Sequence, residues 1–307
     1  MAQTLLQLVD QAAAEMGVQA PATVISNTTL YVIQMLNLIN GLGNDILRDY
    51  EWQGTDKLHT FSTVFYEYTG TTANGSTTIS ALSSTTGITT NPTYFTVSGI
   101  GINQNTTLVS VNAGAGTCVI SEAATASGTV TITFSQTIYA MPSDFDRQVD
   151  RTHWDKSMKW ELLGPTTAQQ WEWLLSGYIA TGPRIRYRIL ADKFQIWPPP
   201  AATDVLRFEY ISTFWVATSA GTAPSKASFT IDTDTCIFND SLMRAGLKMK
   251  WAQAKDMPQA QGYQREYMRL LDIAKAADGG AQTLSMAPRQ GSILITWDNI
   301  PDSGYGT

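Results

Sequence analysis

Residues 59–70 read HTFSTVFYEYTG. Here the hydrophobic period becomes two, with Phe61, Thr63, Phe65 and Glu67 on one face of an extended chain and Ser62, Val64, Tyr66 and Tyr68 on the other. That pattern predicts a β-strand, and the text on either side of it differs. Upstream the period is helical. Leu5, Leu8, Val9, Ala12, Ala13 and Met16 form one stripe, with Thr4 as the N-cap and Gly17 as the stop. After Ser26, Asn27 and Thr28, a longer stripe runs through Val32, Met35, Ile39, Leu42 and Ile46. Gly41 and Gly43 interrupt it at about 1 kcal/mol each relative to Ala, which predicts a kink or the close approach of another helix.

Downstream, the only formally charged side chains between Lys57 and Asp144 are Glu67 and Glu122. The text there is Thr, Ser, Gly, Ala and Val, with short β-prone runs (STTIS, YFTVSG, TTLVSV, TCVIS, TVTITF) between turns such as TANGS and NAGAG. Residues 70–134 therefore read as a small all-β module. The aromatic, charged style resumes at SQTIYAMPSDFDR, so the module is inserted into a hairpin rather than appended. A short helix is expected near 166–177 and strands in RIRYRILADKFQIWPPP and DVLRFEYISTFWV. Two closing helices follow, one capped by Asp240 and one opened by Pro258. The fold class is α+β: a helical bundle core with a small antiparallel β region, carrying an immunoglobulin-like sandwich or small barrel as the insert. Residues 1–69 and 135–281 form the discontinuous core, 70–134 the insert and 282–307 an extended tail.

The 307 residues carry a formal net charge of -6, and no Lys/Arg run is present to bind phosphates. The start of the chain has Asp10 and Glu15 where a signal peptide would be apolar, and no run has the length of a membrane span, so a soluble protein without membrane partners is expected. Cys118 and Cys236 lack metal-site spacing and read as buried thiols. The segment Tyr139–Trp160 is the richest in chemistry-bearing side chains. Asp144, Asp146 and Asp150 lack the glycine and terminal glutamate of a calcium loop, and His153 with Asp150 or Asp155 has no nucleophile motif to serve. The reading is a structural turn: Pro142 ends a strand, Asp144 sets the turn, Phe145 anchors it, and Asp146/Arg147 and Asp150/Arg151 form local pairs. No catalytic residue, cofactor or metal is expected. Tyr94 and Phe95 are candidate surface anchors of the insert.

The combination of TLLQLVDQAAAEMG, LINGLGNDILRDYEWQ, YAMPSDFDRQVDRTHWDKSMKWELLGPTTAQQW, DVLRFEYISTFWV, DTDTCIFNDSLMRAGLKMKWAQAKD and REYMRLLDIAKAADGGAQTL resembles the head-to-tail adaptors, or tail accessory factors, of short-tailed bacteriophages. The resemblance implies a non-enzymatic virion protein of the neck, assembled in the host cytoplasm. It implies a ring, a dodecamer, below the portal protein that continues the DNA channel to the tail nozzle or tail tube protein. DNA would pass without specific binding, which an acidic surface favours. It also implies that the tail reaches the portal, with Ile293, Leu294, Ile295 and Trp297 as anchors. Two other classes are open on the residues: a cell-wall hydrolase using the His153 cluster, and a module binding a glycan or receptor through the insert.

Overall fold

The computed structural model describes residues 2–178 and 185–279. It is an α+β fold of helices and antiparallel sheets. Helix α1 (Leu5–Glu15) starts at Thr4, whose hydroxyl accepts from the Gln7 N–H (3.4 Å) while the Gln7 side chain accepts from the Thr4 N–H (3.1 Å). This reciprocal cap satisfies two donors that the first turn leaves without partners. Gly17, at φ +70°, ends it. Helix α2 (Leu30–Asp49) buries the predicted stripe from Val32 to Ile46.

The glycines of α2 have unequal roles. A Cβ on Gly41 would meet only the Lys250 ammonium at 3.8 Å, whereas one on Gly43 would lie 2.2 Å from the Trp215 indole. The close approach at Gly43 is thus by a tryptophan side chain rather than by a helix. The tight helix–helix approach is made from the other side, where Gly246 of the later helix α4 faces Leu42.

The strands that follow α2 split between body and insert. Strand β1 (Asp56–Ser62) belongs to the body; β2 (Phe65–Thr72) belongs to the insert. The sequence predicts one strand here, and the chain breaks it at Thr63. The Thr63 hydroxyl donates to the Ala202 carbonyl (2.8 Å) and its N–H to the Asp204 carbonyl (2.8 Å), holding the end of β1 in the body. The insert continues with β3 (Thr78–Ile79), β4 (Phe95–Gly99), β5 (Leu108–Asn112), β6 (Thr117–Ile120) and β7 (Gly128–Gln136). These form two three-stranded sheets, β2-β7-β4 and β3-β6-β5. Single bridges, Thr96 to Thr107 and Thr71 to Ser80, link their edges without closing a continuous barrel. Ile79, Val97, Leu108, Ile120, Ile132 and Phe134 fill a core separate from the other clusters. Pairing begins at Phe65 opposite Ser135, outside the expected bounds of 70–134, because the alternating aromatic residues of β2 extend the ladder toward the body.

In the body, β8 (Ile138–Ala140), β9 (Phe145–Gln148), β10 (Trp154–Asp155) and β11 (Trp160–Glu161) precede helix α3 (Ala168–Trp173), which runs on as a π turn to Tyr178. The segment expected as one strand near 184–197 is a hairpin, β12 (Arg186–Leu190) and β13 (Lys193–Trp197). Ala191 and Asp192 both adopt positive φ, +50° and +57°, in a two-residue loop whose twist suits antiparallel strands. Strand β14 (Val205–Ser212) is central to a five-stranded sheet: β1 lies on one side, β10 and β9 on the other, and β11 extends β10. The short pair β15 (Val216–Ala217) and β16 (Thr235–Cys236) leads to helix α4 (Asp240–Ala254).

Asn239, not Asp240, caps α4, its side chain accepting from the Ser241 N–H at 2.9 Å. A cap residue needs an extended backbone, which Asn239 has, while Asp240 is already in the helix and accepts from the Gln3 N–H instead. The last helix, α5 (Ala260–Gly279), begins two residues after Pro258. Helices α1, α2 and α5 all pack on α4. Lys248, on α4, is 7% exposed and reaches Glu15 of α1 (2.7 Å) and Glu266 of α5 (3.5 Å).

Candidate functional site

The segment singled out by its chemistry is the joint between sheet and helices. The chain turns at Pro142, whose carbonyl accepts from the Phe145 N–H (3.0 Å), and this aims Asp144 inward. The Asp144 carboxylate accepts from the Lys57 ammonium (2.6 Å), the Ser212 hydroxyl (2.6 Å) and the Tyr210 phenol (2.9 Å). Its carbonyl accepts from the Thr213 N–H (2.8 Å). Lys57 also donates to the Pro224 carbonyl (3.0 Å) and lies 5.0 Å from the Phe214 ring centre. One carboxylate thereby ties β1, β14 and the loop leading to Trp215, the tryptophan packed against Gly43. Burial acts to raise the Asp144 pKa, but the bonds from Lys57, Ser212 and Tyr210 outweigh it and hold the carboxyl below its ordinary value.

Phe145 packs against Tyr210, ring centres 5.9 Å apart. Asp146 and Arg147 do not pair with each other. Adjacent residues of a strand project to opposite faces, and Arg147 meets Glu51 at 3.4 Å. Asp150 likewise accepts from the Gln148 amide (3.3 Å) rather than from Arg151.

His153 is 2% exposed and lies in an aromatic stack with Tyr187 (4.1 Å between centres), Phe208 (5.1 Å) and Phe194 (5.8 Å). Its Nδ1 is 3.1 Å from the Tyr187 hydroxyl, and its Nε2 has no partner among the described residues. Burial lowers its pKa to about 4, with Asp150 opposing weakly, so the ring is neutral at pH 7. Asp155 is also buried, and accepts from the N–H groups of Ser157 and Met158. The His153 and aspartate cluster that could have made an acid/base pair is therefore divided between a hydrophobic stack and a turn.

A second buried carboxylate, Asp234, was not singled out by the sequence. It is fully buried and accepts from Lys226 (2.8 Å) and the N–H groups of Thr230 (2.8 Å) and Ile231 (2.9 Å), while its carbonyl accepts from the first N–H of α1, at Leu5. Lys57 too was missed, although the period of two places it on the face of His59 and Phe61, which points into the sheet's core.

The insert anchors are placed differently from expectation. Phe95 is 3% exposed, part of the insert's own core, because β4 turns that side between the two sheets. Tyr94 is half-buried beneath Lys193 of the body, with the ammonium 5.6 Å from the ring centre. Phe95 is therefore not a surface group, and Tyr94 keeps only part of its ring exposed. Ser135 donates to the Pro200 carbonyl (2.7 Å), and a recess of about 300 Å³ between insert and body is lined by Glu67, Thr96, Asn105, Trp197 and Pro200. The tail anchors Ile293, Leu294, Ile295 and Trp297 lie outside the described residues.

The SU10 adaptor protein family model matches residues 111–290, more than half of the chain and including both buried carboxylates, Asp144 and Asp234. The chain belongs to the SU10 adaptor protein family. No curated protein matches it. As a phage head–tail adaptor it is a virion component of a bacteriophage, and the match runs from β5 of the insert through α5 and past it. Among the adaptor's described residues, no helix is long and apolar enough to cross a membrane.

Proposed function

We propose that this adaptor works as the head-to-tail joint of a short-tailed phage. It forms a ring, a dodecamer, beneath the portal, continues the DNA channel and receives the tail nozzle or tube below. The observation that carries this reading is the family match from β5 through α5. The residues richest in reactive groups support a structural role, since the Asp144 and Asp234 carboxylates are committed to internal ion pairs and His153 to a stack. A formal charge of -6 per subunit favours DNA passing a ring without adhesion and opposes ring closure unless a template offsets the repulsion. The free subunit is then a monomer, the portal supplies the template, and Ile293, Leu294, Ile295 and Trp297 make the contact. The insert lies on the outside of the ring as a separately folding unit.

Native mass spectrometry and negative-stain imaging of purified adaptor, alone and with portal rings, test this. A monomer that adds a ring of density to the portal is expected. Portal particles unchanged by excess adaptor would defeat the proposal.

A further inference from the structure

Among the described residues strand β1 is an edge: its register with β14 runs from Asp56 opposite Ile211 to Ser62 opposite Val205, and none of the described strands pairs with its other side. The Thr63 N–H bonds the Asp204 carbonyl, so by alternation the backbone groups of Lys57, His59 and Phe61 also face β14. Those of Leu58, Thr60 and Ser62 face outward, and they have no hydrogen-bond partner among the described residues.

Other long edge strands are at least bridged. Strand β12 is bridged at Leu163, and the two sheets of the insert are bridged to each other. A long open edge invites a further strand. The side chains of β1 show the same vacancy. His59 and Phe61 belong to the core-facing side of the sheet yet stay half-buried, and Leu58 on the other face is 51% exposed.

The chain carries a segment suited to this edge. Residues 292–297, SILITW, are rich in β-branched and aromatic residues, with Ile293, Ile295 and Trp297 in one alternation and Leu294 and Thr296 in the other. Helix α5 ends beside the start of β1. Asp278 accepts from the Gln53 N–H (2.9 Å), and a Cβ on Gly279 would lie 2.7 Å from the Tyr50 hydroxyl. The residues from 280 to 291 span up to roughly 40 Å when extended, whereas a strand the length of β1 covers about 23 Å. We propose that residues 292–297 add to the free edge of β1 in the same chain. Ile293, Ile295 and Trp297 would extend the face of His59 and Phe61, and Leu294 would cover Leu58. Joining donor and acceptor in one chain favours this pairing over capture of another copy through the high effective concentration of a short linker. The pairing is that of the free subunit, and the portal contact proposed above for the same side chains would have to release it.

Amide hydrogen exchange on the full chain tests it, comparing the natural sequence with Ile295→Pro, which removes a strand donor, and with a chain ending at Gly279. Leu58, Thr60 and Ser62 are expected to exchange about tenfold or more slowly in the natural sequence than in either variant, with Lys57, His59 and Phe61 unchanged. Equal rates at Leu58, Thr60 and Ser62 in the natural and Ile295→Pro chains overturn the proposal, and protection that disappears on dilution overturns the same-chain assignment. Protection independent of concentration and lost in Ile295→Pro sustains it.

Discussion

The two glycines of α2 should respond to the same substitution with opposite signs. At Gly41 the new methyl meets nothing closer than the Lys250 ammonium at 3.8 Å, so Gly41→Ala should gain helix propensity, up to about 1 kcal/mol. At Gly43 the methyl would lie 2.2 Å from two carbons of the Trp215 ring. Carbon atoms rest at roughly 3.5–4.0 Å, so the indole must move by more than about 1 Å. Trp215 is fully buried, edge-on to Phe229 (5.1 Å) and stacked near Phe238 (5.7 Å), and its Nε1 donates to Asn44 (3.0 Å). A core this close-packed has no space to receive the ring, and overpacking costs typically 1–3 kcal/mol, with about 1 kcal/mol more if the Asn44 bond is lost. Subtracting the propensity gain leaves Gly43→Ala destabilised by about 1–3 kcal/mol. Urea unfolding followed by tryptophan fluorescence and circular dichroism measures both variants. If Gly43→Ala proves as stable as Gly41→Ala, the account of Trp215 as the reason for Gly43 is wrong.

Asp144→Asn leaves Lys57 without its counter-charge and should cost about 2–3 kcal/mol in the same assay, with Asp146→Asn nearly neutral as the exposed control. The Asp144 and Asp234 carboxyls are held below their ordinary pKa, so the stability they add is present above about pH 4 and is lost as pH falls through their folded values. A natural chain losing no more stability below pH 4 than Asp144→Asn would count against that role. His153 acts in a higher window. Unfolded it binds a proton near pH 6.5, folded only near 4, so stability falls as pH drops between those values. His153→Phe should flatten that slope, measured by denaturation at several pH values, and an unchanged slope would mean that His153 is not the titrating group. Replacing Phe65–Ser135 with Asn-Gly should leave a cooperatively melting body, since the Gln136 N–H already bonds the Val64 carbonyl at 2.8 Å. Loss of the helical circular dichroism would show that the insert is needed by the core.

What the sequence revealed depends on the range of the interactions involved. The start of α1 was legible because Thr4 and Gln7 are three residues apart and cap the helix by themselves. The stripe of α2 was legible because its period is local. The partner of Gly43 was not, since Trp215 arrives from the far side of the insert, and the partners of Asp144 come from β1 and β14. The hairpin at Ala191–Asp192 was hidden because two positive-φ positions are held by residues that do not advertise a turn, with neither glycine nor asparagine present. Phe95 was misread because a β-prone aromatic residue looks the same in sequence whether a strand faces solvent or a second sheet. In the segment around His153, residue type suggested chemistry, and only the stack of Tyr187, Phe194 and Phe208 showed that the imidazole serves packing.

The doorway at Val64 and Gln136 links the fates of the two folded units. While the insert is folded, it presents its ends to the body already at strand spacing, and the body closes as though the insertion were absent. Once it unfolds, the same ends are joined by a floppy loop of roughly seventy residues, and holding them together costs about 4 kcal/mol of closure entropy. A substitution deep in the insert, far from Asp144, would then weaken the joint between sheet and helices without touching one of its atoms. By the same reasoning, a self-folding cassette whose ends lie as close as Val64 and Gln136 would hold the body's two strands together as the insert does.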